Sequence, residues 1–277
     1  MSVIIKAEEL SHTYPGNVEA IKNIDLEINA EEFVAIIGRN GSGKTTLVKH
    51  FNGLLKPTKG RVLVKGKDTS KCSIAELARI VGYSFQNPYH QVFEATVEED
   101  IAFGPKNFQL PEEEVEKRVS EALKTVDLEK IRKSYVAALS RSQTQRLAIG
   151  GILAMKPEVI IFDEPTTGQD YTGSKSIMDL LQRLNEEGHT IIIITHTIWL
   201  VSQYARRTIL VGNGEVIADG PTQEILSKPD LLARSRVHPP EITKLAQMFK
   251  DPRISHNIIS AEEMAQNLRT LYYSEKK

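Results

Sequence analysis

The segment Gly38–Thr45 reads GRNGSGKT and stands between an apolar run, FVAIIG, and TTLVKHFNGLL, whose apolar residues recur at helical spacing. The match to G-x-x-x-x-G-K-[ST] in that setting predicts a buried strand, a tight glycine turn and a helix N-terminus, in that order. Glycines there let backbone N–H groups wrap phosphate oxygens without Cβ obstruction, and the helix start adds positive potential. Lys44 would reach the outer phosphates and the Thr45 hydroxyl would bind Mg²⁺. Gly38, Asn40, Gly41, Ser42, Gly43, Lys44, Thr45 and Thr46 are therefore the candidate nucleotide-binding residues. The alternative is an ordinary glycine turn, which the complete match in the right context argues against.

Two further strand ends carry chemistry. VIIFDE, Val159–Glu164, is an apolar run closed by two carboxylates. Asp163 would face a magnesium ion beside the phosphates, and Glu164 an attacking water as base or polariser. In IIIITHT the run ends at His196, placed to hydrogen-bond a γ-phosphate. Acids also close strands for solubility, and a lone histidine is more often structural; the glycine loop tips both towards function. PEVIIFDE and HTIIIITHT are separated by the helical SKSIMDLLQRLNEEG, and strand–helix–strand implies a parallel sheet.

Around this core, IIKAEELSHTY and EAIKNIDLEIN read as short alternating strands joined by polar turns. Residues 88–155 carry helical spacing and read as a helical insertion, in which Pro111 and the glutamates after it mark a helix start. RTILVGNGEVIADG reads as a hairpin turning at GNGE. Beyond Pro221 come short helical pieces separated by prolines, which divides the chain into a domain over 1–220 and an extension over 221–277.

Composition narrows the function classes. Lys+Arg (35) and Asp+Glu (36) nearly cancel, for a net charge of −1, so nothing points to a nucleic-acid partner. The single cysteine, Cys72, excludes an intrachain disulfide and fits a reducing compartment. No apolar run approaches the ~20 residues of a membrane span, and MSVIIKAEEL lacks a secretory pattern. A cytosolic chain is expected, with docking on a membrane partner open.

Taken with YSFQNP, LSRSQ and TTGQD, these motifs resemble, in order and spacing over about residues 3–220, the ATP-binding cassette ATPases. The resemblance implies an α/β P-loop NTPase fold: a RecA-like parallel sheet core, an antiparallel β subdomain, a helical subdomain and here a small C-terminal helical extension. It implies ATP and Mg²⁺ as ligands. Gln86 falls at the glutamine that contacts metal and water and senses the transmembrane partner, Asp170 at the D-loop aspartate, and His196 at the switch histidine. Tyr14 stands where family members stack an aromatic on adenine, although it equally suits a strand position. Asn87–Pro111, NPYHQVFEATVEEDIAFGPKNFQLP, is similar to the ATPase subunits of energy-coupling factor transporters, importers of vitamins and transition metals that include the cobalt type. HPPEITKLAQMF resembles the dimer-contact extension of that group. On that resemblance Gln91–Phe93 would line a groove for a scaffold helix; alternatively Val92 and Phe93 simply pack.

In this family each ATP lies between the glycine loop of one subunit and the LSGGQ signature of another. Here Ser140 and Gln143 keep the family identities, while Arg141 and Ser142 replace the two glycines. Ser140, Ser142 and Gln143 would act on the partner's nucleotide; the other candidates act on this chain's own. The resemblance thus implies a transport ATPase working with a second cassette ATPase, in a heterodimer more than a homodimer, on a transmembrane scaffold and a small substrate-binding membrane subunit. Neutral drift in a working homodimer is the bland account of the altered signature. The competing functions are a soluble cassette ATPase of repair or translation and an ATP-gated regulatory subunit with weak hydrolysis.

Overall fold

FVAII, VIIFD and TIIII are buried along their whole length, with apolar side chains projecting to both faces. Strands of that kind belong in the middle of a covered parallel sheet. The computed structural model, which describes residues 2–274, places them so. In chain order the elements are β1 (Val3–Tyr14), β2 (Val18–Asn29), β3 (Phe33–Ile37), α1 (Lys44–Phe51), β4 (Lys59–Val64), β5 (Lys67–Asp68), α2 (Ile74–Ala78) and β6 (Val81–Ser84). Then follow α3 (Val97–Asn107), α4 (Glu112–Thr125), α5 (Arg141–Ala154), β7 (Val159–Asp163), α6 (Tyr171–Glu186), β8 (Thr190–Ile194) and α7 (Ile198–Tyr204). The chain closes with β9 (Arg207–Gly212), β10 (Glu215–Pro221), α8 (Thr222–Leu226), α9 (Pro229–Ala233), α10 (Glu241–Met248) and α11 (Ala261–Ser274).

A six-stranded sheet has the order β10-β9-β3-β8-β7-β6, all parallel except β10. Alternation along each central strand divides the core. Ala35, Ile160, Phe162, Ile191 and Ile193 face the helices α3–α7, whereas Val34, Ile36, Ile161, Ile192 and Ile194 face α1 and the antiparallel sheet β2-β1-β4-β5. Because β3, β8, β7 and β6 run the same way, their carboxyl ends open on one edge, where ligands bind in open α/β sheets.

The insertion folds as α3, α4 and α5 packed on one another. α3 and α5 each begin in a capping box, Thr96 with Glu99 and Ser140 with Gln143, so their first N–H groups are satisfied locally. The hairpin turns at Asn213 (φ 51°) and Gly214 (φ 85°), the paired left-handed geometry that joins twisted strands in two residues. α8 and α9 put Ile225, Leu226 and Leu232 into the core face shared with the helices, and Ala246, Ile254, Ile258 and Met264 form a separate small cluster under α10 and α11.

Several elements differ from the sequence reading. β1 and β2 are 12-residue strands rather than short ones, bent by register shifts where Glu9 (φ 46°) and Asn23 (φ 42°) leave the extended region. The bulges interrupt the apolar alternation and so imitate strand ends. β6, only VGYS, went unread because four residues with a glycine offer no period.

Gly82 in β6 lets α5 approach the sheet: a Cβ there would fall 2.4 Å from Ile152 Cγ2 and 3.1 Å from Pro157 Cγ. Gly82→Ala should therefore lower the unfolding free energy by about 1–3 kcal/mol, as overpacking does. Urea denaturation followed by circular dichroism checks this, and unchanged stability would mean that α5 yields freely.

Candidate nucleotide site

The glycine loop is seated by its own missing side chains. Gly38 (φ 151°) passes so close to β9 that a Cβ would lie 2.1 Å from Val211 O, and Gly43 (φ 103°) would place one 2.6 Å from Ala20 O. Gly41 (φ 76°) has nothing within 4 Å of that position, so there only the backbone angle asks for glycine. Gly214 N donates to Ser42 O at 3.1 Å, which ties the loop to the β9–β10 turn.

Lys44 is buried, and its Nζ donates to Gly38 O (2.9 Å) and Arg39 O (3.0 Å). Burial pulls its pKa down, opposed by the charges of Glu164 and Asp163. Thr45 Oγ1 donates to Asp163 Oδ2 at 3.0 Å, and the Tyr83 hydroxyl donates to the same oxygen at 2.8 Å. Burial, reinforced by the Asp163 charge, pushes the Tyr83 hydroxyl pKa up, so that it stays a donor. Thr45 and Asp163 therefore present adjacent oxygen donors beside the loop.

Glu164 follows with φ 52°, a left-handed angle uncommon for a side-chain-bearing residue. Its N–H donates to Ile194 O at 2.9 Å, which fixes the turn to β8. Oε1 lies 2.8 Å from His196 Nδ1, while Oε2 is buried without a hydrogen-bond partner. An ionised carboxylate accepts only, so His196 carries its proton on Nδ1 and presents Nε2 outwards from a side chain that is 63% exposed.

A cleft of about 590 Å³ at these strand ends is lined by Tyr14, Lys44, Thr45, Gln86, Asp163 and Glu164 among others. Asn40, Gly41, Ser42, Gly43 and Thr46 line it as well. Gln86 is exposed at its wall. A larger open depression, about 980 Å³, lies on the antiparallel sheet; several of its charges pair with one another, as in Lys6–Glu8, and it holds none of the candidate residues.

Tyr14 ends β1, and its hydroxyl lies 3.3 Å from Thr46 Oγ1. His12 meets its ring edge-on at 4.6 Å between centroids. Beneath, His50 is fully buried and its pKa is pushed down to about 4, first by burial, so it is neutral near pH 7. Neutrality fixes the tautomers: His50 Nδ1–H donates to Thr46 O (2.8 Å), and His50 Nε2 accepts from His12 Nδ1–H (3.2 Å), which also faces Lys56 O (3.1 Å).

Ser140, Ser142 and Gln143 lie outside this cleft, at the start of α5. Ser140 Oγ accepts from Gln143 N at 3.3 Å, and Gln143 Oε1 accepts from Ser140 N at 2.9 Å. Arg141 turns away from the helix axis and donates from Nη2 to Thr167 O at 2.9 Å. Asp170 caps α6 by accepting from Gly173 N at 2.7 Å. The sequence reading missed Tyr83, the His12–His50 pair and the Arg141 contact. Tyr83 had a weak signal, an aromatic three residues before Gln86; the other two are tertiary juxtapositions with no local signature.

A glycine loop between β3 and α1, facing carboxylates at the end of β7 across β8, defines a P-loop nucleotide-binding protein. The profile of the ABC transporter family matches residues 21–167, and the chain belongs to that family. It is an ABC ATPase, of the kind whose ATP hydrolysis is coupled to transport. It is 45% identical to the energy-coupling factor transporter ATP-binding protein EcfA1 of Methanospirillum hungatei, over 91% of each chain. A putative ABC transporter ATP-binding protein of Caldanaerobacter subterraneus subsp. tengcongensis is 47% identical over 95% of this chain, which spans only 45% of that longer protein. Among solved structures, cbiO1 from Clostridium perfringens, part of the ABC transporter complex cbiONQ, superposes with a TM-score of 0.78 at 39% identity, covering 90% of this chain and 100% of that one. A dimeric cassette in a post-hydrolysis state bound to ADP and Pi gives a TM-score of 0.70 at 32% identity, covering 79% of this chain and 98% of that one.

The two glycines separate strain from collision. Gly41→Ala should weaken ATP binding only about three- to ten-fold, the cost of a left-handed alanine. Gly43→Ala adds a backbone clash and should weaken it about a hundred-fold or more. Titration with a fluorescent ATP analogue reads both, and equal losses would contradict this seating of the loop.

Proposed function

We propose that this chain is the ATP-binding and hydrolysing subunit of an energy-coupling factor importer for vitamins or transition-metal ions, held on the cytoplasmic face of the membrane. The observation that carries the reading is the joined set Thr45–Asp163–Tyr83 and Glu164–His196 at one sheet edge, combined with the Methanospirillum relative. No helix among the described residues is long and apolar enough to cross a membrane, so transport requires membrane partners.

The residues divide the work as follows. The loop amides and Lys44 hold the triphosphate, and Tyr14, buttressed by His12 and His50, offers its ring to the base. Thr45 and Asp163 suit Mg²⁺, a hard cation that takes a few protein oxygens and completes its shell with phosphates and water. Bound Mg²⁺ would neutralise charge on the outer phosphates. Gln86, exposed in the cleft wall, would contact metal and water from that side. Glu164 polarises the attacking water, and His196 orients the carboxylate and turns Nε2 to the γ-phosphate.

Two features support the partners. An apolar groove of about 290 Å³ beside α5 is lined by Gln91, Phe93, Phe103, Phe108, Ile152 and Met155. Phe93 is 63% exposed and packs against Phe103 with centroids 5.1 Å apart, while Val92 is tucked at the core edge. This groove would seat a helix of the transmembrane scaffold. Ser140 and its neighbours lie outside the chain's own cleft, as a signature serving another subunit's nucleotide requires. With Arg141 and Ser142 in place of glycines, we infer a heterodimer with a second cassette ATPase of intact signature, with residues 221–277 as a dimerisation extension. A small membrane subunit selects the substrate.

Glu164→Gln should keep ATP binding and lower hydrolysis by about 10²- to 10⁴-fold, the range for losing a general base. A regulatory subunit with weak hydrolysis, which the altered signature also suits, would instead lose no cellular activity on that change. Mild-detergent capture of the complex from its native membrane should recover a second cassette ATPase, a helical scaffold and a small membrane protein. Recovery of soluble or nucleic-acid partners alone would sink the transport assignment.

A further inference from the structure

Arg141 occupies a poor place for a cation, the first helical residue of α5, where the helix dipole is positive. What it does there is legible in the turn it touches. Residues 164–169 are held internally by Thr167 N donating to Glu164 O (3.2 Å) and Gln169 N donating to Thr166 O (3.1 Å). The Thr167 hydroxyl is buried with no partner. Among the described residues, the Arg141 guanidinium is the one side chain from outside the turn that hydrogen-bonds to residues 165–169, through its 2.9 Å bond to Thr167 O.

Gly168 is shaped to this contact. It has φ +75°, and a Cβ there would lie 2.7 Å from Arg141 Cζ and 2.8 Å from Nε, so a bare backbone lets the guanidinium lie against the turn. The helix that carries Arg141 is itself anchored. Arg146 donates to Ser176 Oγ on α6 (2.7 Å) and to Val126 O at the end of α4 (3.0 Å). The guanidinium therefore hangs from a fixed post over the turn that begins at Glu164.

We propose that Arg141 is a positioning residue for hydrolysis of this chain's own ATP: it clamps the Glu164–Gln169 turn to α5 and so keeps Glu164 in its left-handed backbone state against His196. The clamp joins the signature to the D-loop of the same chain, and the arginine is a brace rather than a lost glycine. A glycine at 141 offers no such bond. The proposal rests on the reading of Glu164 as the group that acts on water.

Arg141→Ala and Arg141→Lys in this chain, assayed in its complex with the second cassette ATPase so that the opposing signature is unchanged, test it with two independent readouts. Hydrogen–deuterium exchange over residues 165–170 should quicken about five- to twenty-fold in Arg141→Ala, as the loss of one charge-assisted bond implies. Arg141→Lys, which keeps one donor, should fall between. In steady-state ATPase assays kcat should drop about ten-fold in Arg141→Ala while the ATP KM stays within about two-fold, because the glycine loop is untouched. Unchanged exchange in a folded Arg141→Ala protein overturns the clamp. So does a kcat loss accompanied by an equal loss of ATP-driven dimerisation, which would make Arg141 a grip on the partner's nucleotide. If Glu164→Gln hydrolyses like wild type, the reading of Glu164 fails separately, and the exchange result still tests the clamp itself.

Discussion

Thr45 and Asp163 stand 118 positions apart in the chain and meet at 3.0 Å. They do so because β3 and β7 both pair in parallel with β8, in registers that bring Ile36 and Asp163 alongside the same Ile194. A sheet with one of these strands reversed would send the loop and the carboxylates to opposite edges. The apolar runs are therefore part of the site: burying both faces of β3, β7 and β8 leaves the parallel sheet as their stable arrangement, and that arrangement collects the polar ends.

The edge so formed is crowded and electrostatically tight. Lys44 is desolvated but sits in the field of two carboxylates, and Asp163 is stabilised by two hydroxyl donors. Glu164 has one oxygen committed to His196 and one buried without a partner. An incompletely bonded buried carboxylate is costly in a finished core, and it is the arrangement expected of a group reserved for a ligand or a reacting water.

The altered signature changes meaning in this setting. Read along the chain, LSRSQ lacks the flexibility of two glycines. In three dimensions Ser140 and Gln143 still close a capping box, so the helix start is intact, and Arg141 is spent on Thr167 O rather than projected from the helix end. The segment is thus ordered by its own chain.

Much of this was legible in advance. The glycine loop, the carboxylates of β7, His196, the helical insertion and the GNGE turn are each written in contiguous residues whose chemistry admits few conformations, since positive φ, capping and apolar period act locally. β6 and the long bulged strands were obscured because their periods are short or interrupted. Tyr83, His50 and Arg141 owe their contacts to neighbours tens of residues away: the Tyr83 hydroxyl donates to Asp163 on the adjacent strand, the neutral His50 imidazole accepts from His12, and the Arg141 guanidinium lies over Gly168. The chain alone determined where the glycine loop, the paired carboxylates and His196 stand relative to the apolar runs that precede them. Only the tertiary structure decided which side chains share a proton or a carbonyl, because those pairings depend on sheet register and helix placement, which no local stretch encodes.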